Sequence, residues 1–160
     1  MNIDKTFVIV SKSSDDTENF AEQLGRKLKG GETIELISDL GGGKTTFVRG
    51  LARGARSSDI VASPTFVIEK QYVCPKFLIQ HFDLYRLGGD ERLIQQTLHE
   101  SIEEGSVVVV EWASQVPGAL EVSRLKVELR RTPDSEDSRE ILCTFPGGLA
   151  YLFEGFLAVR

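Results

Sequence analysis

A chain of 160 residues with 41% hydrophobic and 27% charged residues has an ordinary globular composition and can bury about 70% of the surface its unfolded form exposes, which excludes a disordered or fibrous protein. Its formal net charge of -5 argues against gripping nucleic acid unaided, because that affinity comes mainly from neutralising phosphates. Cys74 and Cys143 are far apart with no metal-type spacing, and no apolar run approaches the roughly 18 residues of a membrane span, so a reduced, cytoplasmic protein that is neither exported nor membrane-spanning is expected.

Residues 6–10 read as a short strand, and Asp15 followed by Glu18 suggests a capping box opening a helix. Phe20, Leu24 and Leu28 then recur one turn apart with Ala21 and Gly25 beside them, and Gly30-Gly31 ends the pattern. Residues 33–37 alternate as a strand does. Directly after them, residues 38–46 read S-D-L-G-G-G-K-T-T, a glycine-rich turn ending in Lys-Thr, and residues 46–52 continue as a helix.

Strand, glycine loop and helix in that order make a phosphate cradle. Gly41, Gly42 and Gly43 let main-chain N–H groups turn toward a polyanion, and the helix aims its positive end at the same place. Asp39, Leu40 and Thr46 complete the loop. Lys44 is placed to reach the β- and γ-phosphates and the Thr45 hydroxyl to ligate Mg²⁺. The strict spacing wants glycine where this chain has Ser38; a short side chain at the strand end should leave the geometry intact.

Residues 66–73 and 76–82 flank Cys74-Pro75 and predict an antiparallel pair. Residues 91–104 favour helix, and the four valines from Val107 to Val110 read as a strand buried on both faces. Leu125, Val127 and Leu129 alternate with charged residues, and residues 132–135 turn the chain into residues 140–145, a hairpin with one wet face. Leu149, Leu152, Phe153, Phe156 and Leu157 fall at helical spacing and predict an amphipathic helix docked on the core. With no repeat or linker, the expected architecture is α/β: a single domain over residues 1–160, with a P-loop NTPase-like sheet flanked by helices and antiparallel hairpin additions.

Hydrolysis of a bound nucleotide needs carboxylates as well as a cradle. Glu111 follows the valine run, at the carboxyl end of a buried strand where open α/β sheets place their ligands, and can hold Mg²⁺ directly or through water. Asp83 closes another apolar run and can orient water or a Mg²⁺ ligand, though an aspartate there serves equally well to cap the following turn. Ser63-Pro64-Thr65 is a stiffened loop whose hydroxyls can sense a γ-phosphate. His81 is expected to pack beside its strand, His99 to sit on a helix surface, and Arg49 and Arg53, one turn apart, to form a solvated face.

Taken together, S-D-L-G-G-G-K-T-T-F-V-R-G, S-P-T-F, H-F-D-L-Y-R-L and V-V-V-V-E-W, in this order over residues 31–112, resemble the bacterial TsaE (YjeE) family, the P-loop ATPase component of tRNA threonylcarbamoyladenosine synthesis. The resemblance implies that Lys44, Thr45 and Thr46 bind ATP phosphates and Mg²⁺, that Thr65 belongs to a switch-like segment, that Asp83 and Glu111 serve hydrolysis, and that Trp112 lies beside the site. It also implies action with the TsaD and TsaB proteins, which transfer a threonylcarbamoyl group to tRNA, so that contact with tRNA is indirect. The chain departs from the family pattern at Ser38, usually glycine, and at Gln95-Gln96-Thr97-Leu98, where a Leu-Gly pair is usual.

A slow, partner-dependent ATPase is the leading reading, since no arginine finger is evident and one supplied in trans raises rates by ~10³ to 10⁵. A stand-alone small-molecule kinase is the alternative, although no arginine-rich lid is evident. A non-catalytic nucleotide sensor is a third reading, motivated by Ser38.

Overall fold

Val107, Val108, Val109 and Val110 lie fully buried in the middle of a seven-stranded sheet, as a β-branched run covered on both faces should. The computed structural model describes residues 3–39, 41–62, 69–85, 90–116, 118–120 and 123–156. Its strands are β1 (Lys5–Ser11), β2 (Thr33–Ile37), β3 (Glu69–Val73), β4 (Leu78–Asp83), β5 (Val107–Glu111), β6 (Leu125–Arg131) and β7 (Arg139–Phe145), and its α-helices are α1 (Ser14–Gly25), α2 (Lys44–Gly54) and α3 (Glu91–Glu103).

Across the sheet the order is β1-β7-β6-β2-β5-β4-β3. A parallel centre joins β6, β2, β5 and β4, and antiparallel pairs β3–β4, β6–β7 and β7–β1 extend it on both sides. This is the expected α/β sheet with hairpin additions. On one face, Val107 and Val109 join Ile34 and Leu36 in a core with Phe20 and Leu24 of α1 and Phe47, Val48 and Leu51 of α2. Val108 and Val110 face the other way, packing with Phe82 of β4 and Leu98 of α3.

The two helices on the first face pack with their backbones close. A Cβ at Gly50 would strike the Glu18 carbonyl and one at Gly54 the Glu22 carbonyl; only glycine permits this approach. Closeness brings Arg53 into an ion-pair cluster with Glu18 (2.6 Å) and Glu22 (2.5 Å), while Arg49 lies 3.9 Å from Glu18. Arg49 and Arg53 are exposed, as expected of a solvated face, and Arg53 also clasps α1 to α2. His99 is on the exposed side of α3 as expected.

Two boundaries differ from the sequence reading. α1 is capped by Ser13, not Asp15: the Ser13 hydroxyl accepts the Asp16 N–H (3.1 Å), and Asp16 in return accepts the Lys12 N–H (3.0 Å). This box lies two residues earlier because Ser13 is the residue with extended backbone, φ -156°. Near the C-terminus, residues Gly147–Phe153 form a 3₁₀-helix. Gly155, at φ 85°, ends the segment and returns Phe156 to pack on Phe7 and Phe20. Leu152 and Phe153 are buried, so core docking holds although the helix type does not; Leu157 lies outside the described residues.

Candidate nucleotide site

The loop between β2 and α2 leads into a helix whose first turn is unsatisfied from within. Gly43 is its cap, left-handed at φ 99° and ψ 14°, with no side-chain hydrogen bond. The first N–H of the helix with a carbonyl partner is that of Phe47, on Gly43 O at 3.0 Å. Among the described residues the N–H groups of Lys44, Thr45 and Thr46 therefore remain as donors pointing out of the helix end, where an anion is favoured by both hydrogen bonding and the helix dipole. Upstream, a tight turn is closed by the Gly42 N–H on Asp39 O at 3.0 Å.

Lys44 is buried, 7% exposed, and its Nζ donates to Ser38 Oγ (3.0 Å), Ser38 O (3.3 Å) and Asp39 O (3.3 Å). It also lies 4.8 Å from the centre of the Trp112 ring. Burial pushes its ammonium below the usual lysine range, opposed by the carboxylates of Glu111, Asp83 and Asp39 in that order. An anion at the loop would supply the charge that burial withholds. Ser38 stands against Gly42, where a Cβ would strike its side chain.

Parallel register places Asp83 beside Glu111 at the carboxyl ends of β4 and β5, with Leu36 of β2 on the other side of Glu111. Because side chains two apart share a face, His81, Asp83, Val109 and Glu111 all project toward the α2 side. Asp83 Oδ1 accepts the Tyr85 N–H at 2.9 Å, so one of its oxygens does cap the turn. Glu111 is 3% exposed and its Oε1 lies 2.8 Å from Nε2 of the fully buried His81. His81 thus does more than pack beside the strand. Trp112 follows in the left-handed region (φ 60°, ψ 37°) with its ring 4.8 Å from that of Tyr85. A bulky residue in that region costs roughly 1–2 kcal/mol, and such strain clusters at functional sites.

A cleft of about 200 Å³ adjoins the loop, lined by Leu36, Ser38, Lys44, Trp112 and Ser114 among others. A larger one, about 280 Å³, lies at the far end of α2 against Arg56, Pro75 and Phe77, and contains no carboxylate. Of the two, the loop end is the one with the chemistry for phosphate, since N–H donors, a lysine and carboxylates meet there.

Two residues beyond the sequence reading also reach the loop. Arg139 Nε donates to Gly42 O (3.2 Å) and Arg131 Nη2 to Gly41 O (3.4 Å). They are cross-strand partners at the end of the β6–β7 pair. Holding the Gly42 carbonyl on one side turns the N–H of the same peptide, that of Gly43, to the other. The only sequence signal was two arginines flanking a polar turn, and their meeting with residue 42 depends on β6 lying beside β2.

Of the expected site residues, Asp39, Gly41, Gly42, Gly43, Lys44, Thr45, Thr46, Asp83, Glu111 and Trp112 are described at this end of the sheet; Leu40 and Thr65, with the rest of residues 63–68, lie outside the described residues. No group of three or more His, Cys, Asp or Glu side chains among the described residues can hold a metal by itself. The uncapped helix, a hydroxyl at its first turn and one or two carboxylates fit a nucleotide-bound Mg²⁺, which takes much of its coordination from phosphates and water. No helix among the described residues is long and apolar enough to cross a membrane.

The family model for threonylcarbamoyl adenosine biosynthesis protein TsaE matches residues 11–141. The chain is 35% identical over 133 residues to the tRNA threonylcarbamoyladenosine biosynthesis protein TsaE of Bacillus subtilis strain 168, covering 83% of this chain and 82% of that protein. It is 33% identical to the protein of that name from Treponema pallidum strain Nichols, covering 82% of this chain and 96% of the relative. The crystal structure of Bacillus subtilis YdiB superposes with a TM-score of 0.79 at 30% identity, over 96% of this chain and 95% of the other. The fold is that of a P-loop NTPase.

Proposed function

This chain belongs to the TsaE family, and from that premise we propose that it is a Mg²⁺-dependent ATPase that assists tRNA threonylcarbamoyladenosine modification together with TsaB and TsaD proteins. The observation that carries the reading is the convergence of Lys44, Asp83 and Glu111 on the uncapped start of α2. In this reading Asp39, Leu40, Gly41, Gly42, Gly43 and Thr46 form the phosphate cradle, and Lys44 leaves Ser38 and Asp39 to neutralise phosphate charge. Thr45 and Glu111 hold Mg²⁺, and Asp83 and Glu111 serve hydrolysis, Asp83 orienting the attacking water with the oxygen its turn leaves free. Trp112 borders the nucleotide and Thr65 belongs to a segment that responds to it. When bound, Mg²⁺ neutralises the charge on the phosphates.

Turnover is slow in isolation and rises with the partner complex. Arg131 and Arg139 support this, since both are engaged with main-chain carbonyls of the loop. A net charge of -5 favours indirect contact with tRNA through the complex. The proposal extends to one domain over residues 1–160 and to a cytoplasmic setting.

The deciding experiment is threonylcarbamoyl transfer to tRNA by purified TsaB and TsaD over many turnovers, with Mg-ATP and either wild type or Glu111→Gln. Stimulation by wild type alone is the expected result. Equal transfer with or without either protein would remove this pathway and direct attention to labelled-phosphate transfer onto small molecules.

A further inference from the structure

His81 is fully buried in the sheet, where an apolar side chain would pack without cost, and its Nδ1 has no hydrogen-bond partner. An unsatisfied buried polar atom is destabilising, so a histidine here needs a reason other than packing. The other ring nitrogen, Nε2, lies 2.8 Å from Glu111 Oε1. A carboxylate only accepts hydrogen bonds, so Nε2 carries the proton and donates it. Among the described residues this is the one hydrogen bond recorded to the Glu111 carboxylate.

We infer that His81 is a positioning residue for Glu111, fixing one carboxylate oxygen so that the other is presented to the cation at the phosphate loop. The inference rests on the ATPase reading and adds to it a residue that touches neither nucleotide nor metal. Register explains the reach. His81 pairs with Val109 on β5, and Glu111 is two residues farther along on the same face, so the imidazole leans toward the carboxyl end of the strands and supports the carboxylate from within the protein. The ring is confined in turn by Tyr72 of β3, with centroids 6.3 Å apart, whose own hydroxyl is tied to Ala62 O at 3.1 Å. Glu111 is the first of the carboxylates acting on Lys44, so its orientation reaches the centre of the cradle. Loss of a partner that orients a ligating side chain typically costs about 10–100-fold in metal affinity or activity.

The test uses the full chain with three substitutions. A glutamine amide nitrogen can occupy the place of Nε2, an asparagine amide is one methylene too short, and leucine fills the volume without donating. Mn²⁺ is titrated into the ADP complex of each protein and followed by electron paramagnetic resonance, and kcat and KM for ATP are measured beside it. His81→Leu and His81→Asn are expected to weaken Mn²⁺ by about 10-fold or more and to lower kcat similarly, with KM for ATP moving less than about 3-fold. His81→Gln should recover most of both. Wild-type Mn²⁺ affinity in the leucine protein, or a glutamine protein as impaired as the leucine one, overturns the inference. If leucine prevents folding, the glutamine and asparagine proteins carry the comparison. A wild type that binds ADP and Mn²⁺ but never hydrolyses ATP sinks the hydrolytic reading instead, and the Mn²⁺ titration still decides the role of His81.

Discussion

The three α-helices among the described residues begin in two different ways. α1 and α3 are closed by their own side chains: Ser13 accepts the Asp16 N–H at 3.1 Å and Asp90 the Arg92 N–H at 3.0 Å, with Asp15, Asp16 and Glu91 adding negative charge to the first turns. α2 begins at a left-handed glycine with no side-chain cap and no acidic residue in its first turn. The first two ends are complete within the chain. The third leaves N–H donors and a positive dipole end without a side-chain cap, beside a buried lysine and two carboxylates, an arrangement that favours an anion.

That contrast breaks most directly at Lys44. Lys44→Ala is expected to weaken ATP binding by about 100-fold or more, whereas Asp83→Ala and Glu111→Gln should retain binding and lose hydrolysis; equilibrium binding and phosphate release on the same preparations separate the two outcomes. Arg139→Ala, which frees the Gly42 carbonyl, should weaken ATP by about 10-fold through a less ordered cradle, and an affinity equal to wild type would show that the loop holds its shape unaided. Ser13→Ala sharpens the comparison from the other side. It should cost about 1 kcal/mol of stability, seen as a fall of about 2–4 °C in Tm, with ATP affinity unchanged.

Ser38→Ala is expected to act in the opposite sense. Lys44 loses one of its resting partners, and ATP affinity should rise by roughly 2- to 5-fold; weaker binding would mean that the hydroxyl assists the phosphate instead. The smallest effect concerns the α1–α2 clasp away from the loop. The hydrogen bond from Arg53 holds the Glu22 carboxyl below its usual range. A depressed folded value means stabilisation that is present above the unfolded carboxylate pKa, about 4.3, and lost as pH falls through the folded one. Thermal melts between about pH 5 and pH 3 should therefore drop more steeply for wild type than for Glu22→Gln.

Local features of the chain announced most of the cradle. Gly41 to Gly43 before Lys44-Thr45, a strand ahead and a helix behind are contiguous in sequence, so loop chemistry and helix dipole can be read without knowing the fold. Val107 to Val110 likewise declared a strand buried on both sides. Where several residues compete for one local role, local signals do not decide: Ser13 and Asp15 are both good caps, and the extended backbone after β1 selects Ser13. The apolar spacing from Leu149 to Phe156 fits more than one helical form, and Pro146, Gly147 and Gly155 around it favoured a short 3₁₀ segment.

What the amino-acid sequence determined by itself was the list of parts: the phosphate loop, the carboxylates at two strand ends, the order of strands and helices, and membership of the TsaE family. Each rests on residues within a few positions of one another or on an ordered set of such motifs. Tertiary structure alone decided which distant residues became neighbours. The strand order put Asp83 level with Glu111, leaned His81 onto the Glu111 carboxylate, and carried Arg139 to the carbonyl of Gly42, while glycine contacts let α1 and α2 close upon Arg53. Those contacts depend on sheet order, register and close helix packing, which are properties of the whole chain's burial and not of any local stretch.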